Sequence, residues 1–246
     1  MLASGQICSL HIRNCYSLDI MQNEENQKPL RHWQLGHEGE HRWPVAIVVT
    51  LVIALQFSLS PAFSLSFKNQ ICILEAVLLL IVVAINPRRI SSHIPSARFV
   101  GLALTWLMTL SNTMSAIKLI DAMISGEITN ARQLLLSAGS IWIMNIVVFA
   151  LWYWELDRGG PGKRAEARKP FPDFMFPQMS NPGFSPSGWH PTFFDYLYTS
   201  FTNASAFSPT DVMPLTRWAK MLMLIQSLTA LLMVGLVIAR AVNILR

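Results

Sequence analysis

The residues with the most chemistry to offer lie in one short run: Thr202, Asn203, Ser205, Ala206, Phe207, Ser208, Pro209, Thr210 and Asp211. Hydroxyls and a single carboxylate at this density can present oxygens to a hydrated cation or a small solute, with Asp211 at the mouth of the path. The run is the centre of a longer stretch, 191–215, that is too polar and too often interrupted by proline to cross a bilayer. Apolar stretches nevertheless flank it on both sides. A polar loop at membrane depth is tolerated only when buried in protein or lining a wet cavity. The stretch reads as a short aromatic helix over 192–202, a hydroxyl-rich loop over 203–211, and a stop at Pro214. Its helix would aim and buttress the loop.

A second constellation is His37-Glu38-Gly39-Glu40-His41, which matches H-E-x-x-H. In zinc hydrolases two such histidines sit one helical turn apart and hold the metal, while the glutamate acts as base. Here Gly39 weakens the helix, Pro44 ends it, and no third-ligand motif follows, so a solvated juxtamembrane segment is the favoured reading. No nucleophile arrangement, phosphate-cradling glycine loop or dinucleotide fingerprint occurs, and no enzyme activity or cofactor is expected. Cys8, Cys15 and Cys72 lack metal or redox spacing, and Cys72 reads as a small buried hydrophobe.

Polar residues inside apolar runs form a third group: Gln56, Glu75, Asn112, Asn145 and Gln226. Gln56, Asn112 and Asn145 are expected to act as inter-helix glue, and Gln226 to face a pore. Glu75 and Lys118 fall at one level, so an ion pair between them is geometrically open, with Arg132 and Arg240 as rivals. Gly235 and Ala239 have the small-xxx-small spacing that permits close helix approach.

The elements that must position these groups are membrane helices. Of 246 residues, 52% are hydrophobic and 13% charged, against roughly 25% charged in soluble domains. A span needs about 20 apolar residues, and five stretches qualify or nearly so: 45–65, 71–85, 99–120, 134–154 and 218–245. Residues 1–43 read as a polar, unstructured leader, in which Met21 is an alternative start to Met1. Residues 44–130 form a three-helix membrane domain, and 131–246 a second unit. Trp152, Tyr153 and Trp154 read as an aromatic belt at one interface. The connection 155–191 is charged and Gly/Pro-rich, then repeats proline and aromatics, and is expected to run along the interface or over the protein without regular helix. Residues 1–43, 86–98 and 155–220 hold fourteen of the 19 Lys and Arg, which places that side in the cytoplasm by the positive-inside rule. The expected fold is therefore an all-α integral membrane protein with five transmembrane helices and one re-entrant helix and loop.

The order outer span, short aromatic helix, hydroxyl-rich loop, Asp211, Pro214-Leu215, inner span resembles the pore module of potassium channels. That family reads T-x-x-T-T-V-G-Y-G-D-x-x-P where this chain has residues 200–214; Asp211 and Pro214 match. The two glycines fall on Ser208 and Thr210 and the tyrosine on Pro209, so stacked-carbonyl potassium coordination, which needs the backbone freedom of glycine, does not carry over. The cytoplasmic side of insertion resembles glutamate-receptor channels, in orientation only. Further motifs, W-Y-W-E-L-D-R-G-G-P at 152–161, D-F-M-F-P-Q at 173–178 and the run 194–220, resemble a family of uncharacterised bacterial multi-pass membrane proteins. These resemblances imply a bacterial cytoplasmic membrane and a channel-like C-terminal half. The expected function is passage of a cation through a non-potassium filter loop in a homo-oligomer in the bilayer, with no nucleic-acid partner. The alternative is a non-conducting scaffold or accessory subunit whose loop only packs the bundle.

Overall fold

The computed structural model describes residues 32–126, 130–181, 183, 185–205 and 211–244. The leader up to residue 31 and the loop core Ala206, Phe207, Ser208, Pro209 and Thr210 lie outside the described residues, together with the expectations made for them. From His32 onward the predicted leader is folded against the bundle, with Trp33, Glu40 and Arg42 buried.

The elements run β1 (Glu40–His41), α1 (Trp43–Ser58), α2 (Lys68–Ile85), β2 (Arg89–Ile90), α3 (Pro95–Ile124) and α4 (Ala131–Leu156). They continue with α5 (Pro161–Ala165), β3 (Phe174–Met175), α6 (Pro177–Ser180), α7 (Phe193–Ser205), β4 (Met213–Pro214) and α8 (Arg217–Ile244). The chain is thus mostly helical. Among the described residues four helices, α2, α3, α4 and α8, are long and apolar enough to cross a membrane, with mean hydropathies of 2.1, 1.3, 2.2 and 2.3. The first expected span, 45–65, is cut short. Helix α1 ends at Ser58 after 16 residues, because Pro61 biases the residue before it away from helix and opens a short 3-10 turn instead.

Helix α4 is the axis of the bundle: 67% of its apolar window is buried, against 17% for α2 and 22% for α8. The aromatic belt expected at its end is packed inside the protein. Trp152, Tyr153 and Trp154 are all buried, and each polar tip finds a protein partner: Thr109 Oγ1 at 2.9 Å, Gln226 Oε1 at 2.6 Å and Glu40 Oε2 at 2.9 Å. Buried Tyr and Trp regularly need such a partner.

The starts of α1 and α3 and the ends of α2 and α4 meet at one end of the bundle. Two minimal antiparallel pairings tie this end together. Glu40 pairs with Ile90 and His41 with Arg89, while Phe174 pairs with Pro214 and Met175 with Met213. The connection after α4, expected to lie loosely over the surface, is instead a packed cap containing α5, α6 and β3, with Asp157, Arg158 and Arg164 almost wholly inaccessible.

Candidate functional site

The short aromatic helix of the sequence forms as α7, starting one residue later than expected and extended by three residues through Ser205. Its start is held at the cap. Phe193 N donates to Glu40 Oε2 at 3.0 Å, and the Asp195 carboxylate accepts from Thr192 N and Oγ1 at 2.7 and 2.9 Å. Acidic groups at a helix start are favoured by its unpaired N–H groups and its dipole.

From there α7 runs inward between α4 and α8. Ser200 Oγ donates to the Ile146 carbonyl of α4 at 2.6 Å. Gln226 Nε2 of α8 donates to Ser200 O and Oγ at 3.0 and 2.6 Å. Asn203 Nδ2 donates to Gln226 Oε1 at 2.8 Å and to Met223 O at 2.9 Å, and Ser227 Oγ donates to Asn203 Oδ1 at 2.9 Å. Ile146 lies ten residues before the end of α4, and Gln226 nine after the start of α8. At 1.5 Å rise per residue both lie about 14–15 Å from the cap end, so both helices report the same depth for the middle of α7.

The chain then returns to the same end. Met213 and Pro214 pair with β3, Leu215 N donates to Asp173 O at 2.8 Å, and Trp218 Nε1 donates to Asp173 Oδ1 at 3.1 Å. Both limbs of the 191–215 stretch therefore attach to the cap.

A buried charged network ties that cap together. Arg164 meets Glu40 at 3.0 Å, with side chains 1% and 4% exposed. The same guanidinium donates to the Trp154 and Asp157 carbonyls and lies over the Tyr196 ring, 5.0 Å from its centroid. Asp157 accepts from Tyr196 OH at 2.6 Å and from Asp173 N at 2.8 Å. Arg158 turns the chain with a φ of 51° and is fixed by bonds to Trp33 O and Lys169 O, both at 2.7 Å. A buried ion pair is tolerated when further hydrogen bonds satisfy its remaining polar atoms, and beside Arg164 the Glu40 carboxylate accepts from Trp154 Nε1 and Phe193 N.

Of the site residues expected from sequence, Thr202 is buried, Asn203 and Ser205 are half-buried, and Asp211 is exposed. Thr202 and Ser205 direct their hydroxyls to carbonyls of their own helix. Gln226 is wholly buried and faces α7, not an open path. The sequence assigns Ser200, Tyr153 and Glu40 no part in holding α7, yet they fix it. Their only sequence signal is a polar residue on an aromatic helix (Ser200), an aromatic with a polar tip (Tyr153) and a second glutamate in H-E-G-E-H (Glu40).

The H-E-x-x-H run is not helical. Gly39 has a φ of 84° and His41 lies in β1. His37 stacks on His190 with centroids 3.8 Å apart, and Glu38 pairs with Arg89. The two histidines therefore do not share a helical face as zinc hydrolysis requires. Among the described residues no group of three His, Cys, Asp or Glu could hold a metal. The possible Glu75–Lys118 pair does not form: Gln56 Nε2 donates to Glu75 at 3.4 Å, and Lys118 Nζ donates to the Ser64 carbonyl at 2.6 Å. Arg240 reaches the Gly126 carbonyl at 2.8 Å. Cys72 is buried as expected. Around Gly235 an added Cβ would meet nothing within 4 Å, so among the described residues no close helix approach occurs there.

Comparison with protein-family models, curated proteins and solved structures finds no match to this chain.

Proposed function

We propose that the chain is a multi-pass membrane protein of the bacterial cytoplasmic membrane whose C-terminal half conducts a cation in a homo-oligomer. In this reading α1 completes five crossings, α7 is a re-entrant helix, and residues 202–211 line the path. One observation carries the reading. Helix α7 is clamped between two long apolar helices by Ser200, Asn203 and Gln226, and its C-terminal end is directed into the bundle. A helix C-terminus carries about half an elementary negative charge, which favours a cation beside it. Hydroxyls and Asp211 follow immediately in sequence.

Purified protein of verified fold and oligomeric state, reconstituted in liposomes, is expected to give a cation flux that Asp211→Ala or Ser208→Ala alters. Absence of flux for any common ion overturns the reading. A second reading, a non-conducting scaffold, draws on the finding that the Ser200, Thr202 and Ser205 hydroxyls all bond within the chain. It expects loop substitutions to change thermal stability and no transport.

A further inference from the structure

Where α1 and α3 begin and α2 and α4 end, a cavity of about 30 Å³ opens between the helices; Arg42, His93, Arg98, Trp154, Glu155 and Gly162 are among its lining residues. By the usual measure it has room for two or three water-sized atoms. Arg42 is only 7% exposed, and its Nε has no hydrogen-bond partner among the described residues. An arginine does not discharge in a protein, so this is a buried cation with an unused donor beside a cavity. Arg98 is half-buried and lies across Gly160, where even a Cβ would sit 2.3 Å from its Nη1. Its guanidinium makes no hydrogen bond among the described residues.

The first turn of α3 adds to the same field. Its N-cap, Ile94, offers no side-chain cap, and the N–H groups at a helix start attract anions. One group opposes this. Glu155 is buried in the same lining, with Arg98, Arg42 and Arg164 and, of like charge, Glu40 as its charged neighbours. At the cavity, two guanidiniums face one carboxylate. His93, the other titratable group of the lining, has its backbone N–H held by Glu166 Oε1 at 3.0 Å. Behind Arg42 and Glu155 a second cavity of about 20 Å³ is lined largely by aliphatic side chains such as Val45, Val49 and Leu104, so the polar site ends there.

We infer that this cavity binds the oxygens of a phosphate group, with Arg42 and Arg98 as donors and the start of α3 as the dipolar wall. Guanidinium forks match phosphate geometry and outperform point charges there. The volume takes the inner oxygens, and the remainder of the ligand occupies the mouth. The site lies at the helix ends, so the phosphate comes from a lipid headgroup or from solution. The inference is independent of conduction by the C-terminal half.

The full chain in neutral detergent is titrated with inorganic phosphate against chloride at equal ionic strength, read by thermal shift. In parallel, retained phosphatidylglycerol is counted by native mass spectrometry after incorporation in mixed phosphatidylcholine nanodiscs. Arg98→Gln is expected to weaken the bound probe by about tenfold or more, the loss of charge-assisted hydrogen bonds. Glu155→Gln, which removes the opposing charge, tightens it, and Arg132→Gln, an exposed change at the other end, leaves it unchanged. Arg42→Gln serves only if it retains the wild-type elution profile. Binding of phosphate alone, of lipid alone or of both, with this order of variants, supports the site and tells the sources apart. No binding of either probe, equal binding by wild type and Arg98→Gln, or weaker binding by Glu155→Gln overturns it.

Discussion

Gln226 Nε2 lies 2.6 Å from Ser200 Oγ, and the other end of the same amide accepts from Tyr153 OH at 2.6 Å and Asn203 Nδ2 at 2.8 Å. One side chain on α8 thus binds both α7 and α4. Gln226→Leu roughly keeps the volume and removes all of these bonds at once, leaving the buried Tyr153 hydroxyl without its acceptor and Asn203 Nδ2 with only the Met223 carbonyl. Unsatisfied buried polar groups cost about 1–3 kcal/mol each, so a loss of roughly 2–4 kcal/mol is expected in thermal or denaturant unfolding in detergent. Ser227→Ala, which removes one bond to Asn203, is expected to cost only about 1 kcal/mol. Equal losses from the two variants contradict the clamp.

Glu40 connects the segment before α1 to the start of α7 and to Arg164. Breaking a buried pair by deleting one partner costs about 3–5 kcal/mol, because the other charge is left uncompensated. Glu40→Leu and Arg164→Met are each expected to fall in that range. The double variant should recover a large part of the loss, since an apolar replacement of both charges leaves neither stranded. A double-mutant cycle on unfolding free energy measures this, and strict additivity would sink it.

The long apolar runs carried most of the fold in the sequence. The expected spans 134–154 and 218–245 map closely onto α4 and α8, because a continuous apolar run has few ways to fold other than as a long helix. The end of α1 was missed for a local reason, the reach of Pro61 back onto Ser60. The aromatic belt and the cap were missed for a non-local one. Trp154 finds its partner 114 residues away and Arg164 finds Glu40 124 residues away, and no spacing rule encodes such pairs. Asp157, Arg158 and Arg164 therefore read as part of a connection along the interface or over the protein. The position of α7 was readable because a short aromatic helix between two apolar runs is unusual, whereas its anchors were not, since Ser200 and Tyr153 resemble ordinary helix residues.

Glycine substitutions separate close approach from ordinary helix. A Cβ on Gly162 would lie 2.6 Å from the Ser92 carbonyl oxygen and 2.9 Å from His93 Cα. Both are backbone atoms, so the β2–α3 loop must move, and Gly162→Ala is expected to cost about 1–3 kcal/mol. Gly139, inside α4, would meet nothing within 4 Å. Gly139→Ala should therefore stabilise by roughly 0.5–1 kcal/mol through helix propensity alone. Melting temperatures of the two variants should move in opposite directions.

The stacked rings of His37 and His190 give the cap an acid-sensitive contact. Burial, then the neighbouring His190, then Arg164 and Arg158, push the His37 imidazole down to about 4 from its usual 6.5. The sign follows from which state takes the proton. Between pH 6.5 and 4 the unfolded chain protonates His37 while the folded chain keeps it neutral, so stability falls as pH drops through that window. Above 6.5 and below 4 this residue contributes no slope. His37→Phe keeps a planar ring against His190 and removes the titration. Its stability should decline less than wild type between pH 7 and pH 5, a window chosen around the unperturbed histidine value of about 6.5. The measurement is unfolding free energy in detergent at those two pH values, taken as a difference so that carboxylates titrating in both proteins cancel. An identical decline in wild type and His37→Phe would show that this contact carries none of the acid sensitivity.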